Sequence, residues 1–233
     1  MYKVLITGAT RGIGRALALE FAGRGCSIAF CARSEAAVSA FELLLRRDFS
    51  IDAFGFAVDL SSKNEVQQFG ALATKRLGGL DILVNNAGIF LPGTIGMEEE
   101  GVFEQLMSVN LAAPYHLSRA VLPALKQSKR AHIFNVCSTA SIMAYTNGGS
   151  YCISKFGLLG MTKVLRAETL GSAIRVTAVL PGATLTDSWA GSDLPAARFM
   201  QPEAVAKAVG ACWDVNESSV VEELLVRPLQ GDI

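Results

Sequence analysis

The chain has 233 residues, enough for one large domain with a full core, and although 51% of them are hydrophobic, no run of about 18 uninterrupted apolar residues offers a membrane span. Lys plus Arg and Asp plus Glu balance at 21 each, with the basic residues dispersed, which argues against a nucleic-acid surface. Five cysteines (Cys26, Cys31, Cys137, Cys152, Cys212) show no C-x-x-C spacing and the N-terminus carries no export pattern, so the expectation is reduced, mostly buried thiols in a cytoplasmic protein.

Strand-like runs fall near 3–7, 27–31, 52–58, 81–84, 131–136, 175–179 and 223–226. Helix-length amphipathic segments lie between them, near 14–24, 35–47, 62–77, 99–126, 151–170 and 202–212. Several strands are continuously apolar, as expected when both faces of a sheet are covered. Strict alternation of strand and helix predicts a parallel sheet with right-handed crossovers, a single doubly wound α/β domain over 1–233.

The first strand ends in T-G-A-T-R-G-I-G, residues 7–14. Gly8, Gly12 and Gly14 would let backbone N–H groups and a helix start approach a pyrophosphate, although tight packing alone could also need them. The three-residue gap between the first two glycines departs from G-x-G-x-x-G. The second strand ends F-C-A-R-S and lacks the Asp or Glu that bonds an adenosine 2′-hydroxyl. Arg33 stands there instead, with Arg11 in the glycine turn, and two guanidiniums suit a 2′-phosphate, so NADP(H) is expected over NAD(H).

Asp59 and Leu60 close the third strand, where the carboxylate suits either an adenine amino group or the cap of the next helix. Asn85, Asn86, Ala87 and Gly88 close the fourth, a composition that suits a flat ring or ribose and equally an ordinary turn. Asn110 lies in a long helical segment four residues before Pro114, whose missing N–H would leave the Asn110 carbonyl free for water. Ser138 follows the fifth strand at the carboxyl edge where ligands of open α/β sheets bind, and Pro181, Gly182, Ala183 and Thr184 end the sixth in the same way. Tyr151 and Lys155, four apart, share one helical face. An ammonium beside a phenol is expected to lower its pKa from about 10, toward what an acid/base for an alcohol–ketone pair needs. Cys152 reads as filler, His116 as a surface or interface residue, and no His/Cys/Asp cluster has metal-ligand spacing.

In order and spacing, 7–14, 85–88, Asn110, Ser138, Tyr151 with Lys155, and 181–182 resemble the short-chain dehydrogenase/reductase family over essentially the whole chain. The resemblance implies a seven-stranded Rossmann-type sheet and hydride transfer between a nicotinamide and a carbonyl or alcohol carbon. It implies that Tyr151 gives a proton to the carbonyl oxygen and that Ser138 polarises it. Lys155 would tune Tyr151 and bond the nicotinamide ribose, and the Asn110 backbone would anchor a water leading to Lys155. Cofactor contacts would come from Thr7, Gly8, Thr10, Arg11, Gly12, Ile13 and Gly14 in the turn. Arg33, Asp59, Leu60, Asn86, Ala87 and Gly88 would add to them, as would Tyr151, Lys155, Pro181, Gly182 and Thr184.

Within the family, V-V-E-E-L-L-V-R-P-L-Q-G-D-I at the C-terminus resembles bacterial sepiapterin reductase-like members. The segment 183–200 would then be a substrate lid, with Trp189 either stacking on a pterin or packing the lid. Asp232 would either anchor a pterin amino group or fray with the terminus. The expected function is an NADPH-dependent carbonyl reductase acting on a small carbonyl or alcohol, a sepiapterin-like side-chain ketone foremost. The alternatives are a 3-oxoacyl-(acyl-carrier-protein) reductase or general ketone/alcohol oxidoreductase, and a cofactor-binding regulator without turnover. A homodimer or homotetramer, paired through 102–126 and 151–170, is also implied.

Overall fold

The structure, a computed structural model, describes residues 1–189 and 193–232. Residues 190–192 of the expected lid lie outside the described residues. The strands are β1 (Lys3–Thr7), β2 (Ser27–Ala32), β3 (Ala53–Ala57), β4 (Ile82–Asn85), β5 (Ala131–Val136), β6 (Ile174–Pro181) and β7 (Glu223–Val226). They form one parallel sheet in the order β3-β2-β1-β4-β5-β6-β7, so the doubly wound reading holds. From β1 the chain runs outward to β3, then crosses back to β4 on the other side of β1. That reversal opens a crevice beyond the carboxyl ends of β1 and β4, where open α/β sheets hold ligands.

Side chains alternate across the pleat. Val4 and Ile6 of β1 join Ile28 and Phe30 of β2 under helices α1 (Gly12–Gly23), α2 (Glu35–Phe49) and α7 (Pro202–Asp214). Leu5, Ala29, Leu83 and Ile133 face the opposite layer, which includes α3 (Lys63–Leu77) and α5 (Ala113–Leu125). Every residue of β5 and β6 is buried, the polar His132, Asn135, Arg175 and Thr177 included, whereas edge strand β7 alternates exposed and half-buried positions. Boundaries follow local chemistry. Ser34 caps α2 by accepting from the Ala37 N–H at 3.3 Å, and Ser62 caps α3 by accepting from the Glu65 N–H at 3.4 Å. Gly78, at φ 67°, ends α3 in the left-handed conformation.

The segment expected as one helix over 99–126 is broken. α4 (Val102–Met107) passes through a wide π turn, Ser108–Ala112, into α5. Pro114 has no N–H to offer the Asn110 carbonyl, and at the turn the Ala113 N–H bonds back five residues to Ser108. α6 (Gly149–Glu168) begins two residues before its expected start and carries Tyr151 and Lys155.

Candidate functional site

The crevice is locked by side-chain bonds between the ends of β1 and β4. Thr7 Oγ1 accepts from the backbone N–H groups of Asn86 and Ala87, each at 3.0 Å. Asn86 Nδ2 donates in return to the carbonyls of Thr7 at 2.9 Å and Gly8 at 3.2 Å. Gly8, at φ 68°, turns the chain over the end of β2, with its own N–H and that of Ala9 on the Cys31 carbonyl. A Cβ on Gly14 would overlap the Gly8 carbonyl oxygen and the Asn86 amide nitrogen and lie 2.8 Å from the Gly8 carbonyl carbon, so only glycine lets α1 start this close. The first turn of α1 has no acidic residue and no side-chain cap, the chemistry of a helix start that can receive an anion. Thr10 is partly buried in the same turn, and Ile13 packs on the core beneath it.

Arg11 and Arg33 are exposed on the β2 side. Arg11 Nη1 reaches Asp187 Oδ2 at 2.5 Å, both side chains about two-thirds exposed, and so ties the glycine turn to the segment after β6. Asp59 is held below the usual carboxylate range, first by the Ser61 N–H and hydroxyl and more weakly by Arg33. It does not cap α3: Ser62 does, while Glu65 Oε2 accepts from the Asp59 N–H at 2.9 Å. Leu60 packs partly buried against the core beside α3.

Ser138 follows β5 and caps a single 3₁₀ turn, Thr139–Ser141, its Oγ accepting from the Ala140 N–H at 3.1 Å. Tyr151 comes to it from α6. Burial pushes the Tyr151 phenol up to about 12, against the opposing pull of its hydrogen bond with Ser138. The expected fall in the Tyr151 pKa does not occur, because burial outweighs the hydrogen bond. Lys155 Nζ lies 5.9 Å from the Tyr151 ring centre and donates to the Val136 carbonyl at 2.9 Å, and burial lowers its own pKa. The ammonium shares the helical face but serves a strand carbonyl.

Asn110 is fully buried. Its Oδ1 accepts from the Ile89 N–H at 2.9 Å, and its Nδ2 donates to the Ile89 carbonyl and to Ser154 Oγ, each at 3.0 Å. Ser154 Oγ donates to the Tyr151 carbonyl at 2.7 Å, so the π turn, the loop after β4 and α6 meet at Asn110. A Cβ on Gly88 would sit 3.2 Å from Asn110 Oδ1 and 3.5 Å from Lys155 Nζ, which brings Gly88, Asn110 and Lys155 to one place. Sequence reasoning missed Ser154, whose position three after Tyr151 on α6 is its only signal. It also missed Phe90, whose ring packs edge-on against Tyr151 at 4.8 Å.

Beyond β6, Gly182 N–H bonds the Val226 carbonyl, and Thr184, buried, pairs with Met200. Pro181, the last residue of β6, lies beside Val226. Trp189 sets its ring 5.1 Å from that of Phe199, within the expected lid. Asp232 does not fray: its carboxylate pairs with Arg227 at 3.0 Å, and a Cβ on Gly182 would come 3.4 Å from Asp232 Oδ1.

The crevice thus joins a glycine turn fit for a dinucleotide phosphate, two guanidiniums where an acid would exclude a 2′-phosphate, and a Ser–Tyr–Lys cluster. A family profile described as short chain dehydrogenase matches residues 2–195. A sepiapterin reductase of Chlorobaculum tepidum is 32% identical, over 99% of this chain and 97% of its own. A 3-oxoacyl-(acyl-carrier-protein) reductase of Haemophilus influenzae is 31% identical, over 88% and 87%. The crystal structure of an alcohol dehydrogenase from Thermococcus sibiricus, complexed with 5-hydroxy-NADP, superposes with a TM-score of 0.93 at 26% identity, over 100% and 99%. By the profile match and by relatives aligned along nearly its whole length, this chain belongs to the short-chain dehydrogenase/reductase family of oxidoreductases.

Proposed function

We propose that the protein is an NADPH-dependent carbonyl reductase whose substrate is a sepiapterin-like side-chain ketone. The observation that carries the reading is the phenol of Tyr151, hydrogen-bonded to Ser138 and one helical turn from Lys155, at the mouth of a glycine-rich crevice. NADPH, when bound, supplies the hydride. Gly8, Gly12 and Gly14, with the open start of α1, would hold the pyrophosphate, and Arg11 and Arg33 would hold the 2′-phosphate. Thr10, Ile13, Asp59, Leu60, Asn86, Ala87 and Gly88 would take the adenosine and ribose, and Pro181, Gly182 and Thr184 the nicotinamide end. Fit is supported by the glycine cradle that a Cβ would fill and by Arg33 standing at the end of β2, where an NAD site places an acid.

Tyr151, with a pKa pushed up to about 12, is protonated at neutral pH, the state a proton donor to a carbonyl oxygen needs. Ser138 donates a second hydrogen bond to the same oxygen as charge builds there. Lys155, buried, would hold the ribose in place of the Val136 carbonyl. Asn110 keeps the π turn open, so that its carbonyl holds a water between Lys155 and solvent.

The pterin substrate is supported by the 32% identical sepiapterin reductase, and by Asp232 held against Gly182 at the nicotinamide end. The 3-oxoacyl reductase reading rests on a relative of nearly equal identity, but only Arg198 is basic between Gly182 and Pro202, which suits an acidic carrier poorly. Residues 183–200 form the substrate lid, with Trp189 and Phe199 as its apolar lining. The chain pairs with a second copy through α5 and α6, which leave an apolar cavity of about 750 Å³ on their outer face, lined by Leu111, Tyr115, Met161 and Val164. Five free, buried thiols support a cytosolic setting.

The test is NADPH oxidation by the purified protein with sepiapterin, an acetoacetyl thioester and diacetyl. A kcat/KM highest for sepiapterin supports the reading. Turnover of the thioester or diacetyl alone keeps carbonyl reduction and removes the pterin. No turnover of any of the three removes the reductase reading.

A further inference from the structure

We propose that Glu98 is a positioning residue for Tyr151, acting from the loop after β4 through the first turn of α6; the proposal rests on the reading of Tyr151 as the proton donor. α6 lacks a cap of its own, because Gly148 at its N-cap has no side chain. The missing acceptor arrives from a residue 52 positions earlier. The Ser150 N–H donates to Glu98 Oε1 at 2.8 Å, and the Ser150 hydroxyl donates to Glu98 Oε2. Ser150 is buried and directly precedes Tyr151.

Two glycines clear the path of this carboxylate. A Cβ on Gly93 would lie 2.7 Å from Glu98 Cγ, and a Cβ on Gly149 would overlap Glu98 Oε1 and sit 2.6 Å from the Gly93 carbonyl. Gly149 also takes φ 30°, where a side chain is strained. The Gly93 N–H bonds the Asn147 carbonyl at 3.0 Å, so backbone as well as side chain joins the loop to the segment leading into α6. A carboxylate receiving hydrogen bonds at a helix start is favoured by both the charge-assisted bonds and the helix dipole.

The same loop meets Tyr151 at a second point, where Phe90 packs edge-on against its ring. Asn110 grips the loop's beginning at Ile89. Tyr151 is thus held on its ring by Phe90 and on its preceding residue by Glu98. The phenol is placed by the loop that would border the substrate, not by α6 alone.

Wild type, Glu98→Ala, Glu98→Gln and Tyr151→Phe are compared in steady-state NADPH oxidation with sepiapterin, acetoacetyl thioester and diacetyl, alongside NADPH affinity by fluorescence titration and Tm. Glu98→Ala is expected to lower kcat about tenfold or more while NADPH affinity stays within about twofold, since small misplacements of a reacting group are costly. Glu98→Gln is expected to recover most of that loss: its amide oxygen still accepts from the Ser150 N–H, and its NH₂ can donate to the Ser150 hydroxyl. A kcat for Glu98→Ala within about twofold of wild type overturns the proposal, as does a loss shared equally by kcat, NADPH affinity and both variants. If Glu98→Ala does not fold, Ser150→Ala replaces it, and an unchanged kcat there overturns the proposal. Failure of wild type to turn over any of the three carbonyls, or full turnover by Tyr151→Phe, removes the reductase reading itself. An unaffected Glu98→Ala beside an active wild type and an inactive Tyr151→Phe removes only the role of Glu98.

Discussion

Gly14→Ala tests whether the crevice is built as described. Its new Cβ would overlap the Gly8 carbonyl oxygen and the Asn86 amide nitrogen, and it would lie 2.8 Å from the Gly8 carbonyl carbon. Two of these are backbone atoms, so no side-chain rotation relieves the clash. Either α1 moves off the turn or the Asn86 amide leaves its place. Forced overpacking of this kind costs about 1–3 kcal/mol. Displacing Asn86 also loses its bonds to the Thr7 and Gly8 carbonyls, at about 0.5–1.5 kcal/mol each. The expected total is about 2–6 kcal/mol, a Tm lower by roughly 4–24 °C for a chain of this size. Gly23→Ala is the internal control: at the far end of α1 its Cβ meets only Phe49 at 3.9 Å, and it is expected to gain about 0.5–1 kcal/mol. Thermal unfolding by circular dichroism is followed with and without NADPH. At about 100 times its Kd, the cofactor adds ~2.7 kcal/mol to wild type and to Gly23→Ala, and much less to Gly14→Ala. A Gly14→Ala protein that melts with wild type and keeps the full NADPH shift refutes the account of the turn.

Arg33→Ala is expected to weaken NADPH about tenfold or more and NADH less than about twofold in fluorescence titrations, the worth of a charge-assisted contact to one phosphate. Equal losses for both cofactors remove the assignment of the 2′-phosphate. His132, buried in β5, donates from Nε2 to Thr177 Oγ1 at 2.7 Å, because the Thr177 hydroxyl itself donates to the Val221 carbonyl. Burial, then Arg175 and Arg130, hold the His132 pKa down to about 2, below the ~6.5 of an unfolded chain. The stability it contributes is full above about pH 6.5 and is lost as the pH falls toward 2, by up to ~1.4 kcal/mol per unit. Urea midpoints from pH 7 to 4 should fall less steeply in His132→Asn than in wild type, and parallel slopes contradict this. Val164→Glu, on the exposed face of α6, is expected to shift the mass in light scattering toward the single-chain 24.7 kDa, whereas a wild type already of that mass contradicts pairing through α5 and α6.

The alternation of strand and helix was legible because a strand covered on both faces, such as β2, is apolar along most of its length, while the connecting helices show one apolar stripe. The glycine turn was legible for a related reason: positions that must admit backbone at van der Waals distance tolerate little else. What sequence could not show were choices between competing partners. Lys155 faces Tyr151 by helical spacing, yet the Val136 carbonyl, 19 residues earlier, takes its ammonium. Pro114 announces an interrupted helix, but the form of the interruption, a π turn, depends on the grip of Asn110 on Ile89 and Ser154. Asp232 looked like a loose terminus because its partner Arg227 and its neighbour Gly182 meet only once β7 has paired with β6. Glu98 gave no signal at all, since its partner lies across the fold.

The most direct test of the central claim is single-turnover oxidation of NADPH by wild type and Tyr151→Phe with the best carbonyl substrate, beside NADPH titration of both. The variant loses only the phenol oxygen. The account predicts that NADPH affinity stays within about twofold while the rate falls by about a hundredfold or more, as expected when a positioned acid is removed. Retention of most of the rate by Tyr151→Phe, with NADPH bound as in wild type, would contradict the placement of proton delivery at Tyr151.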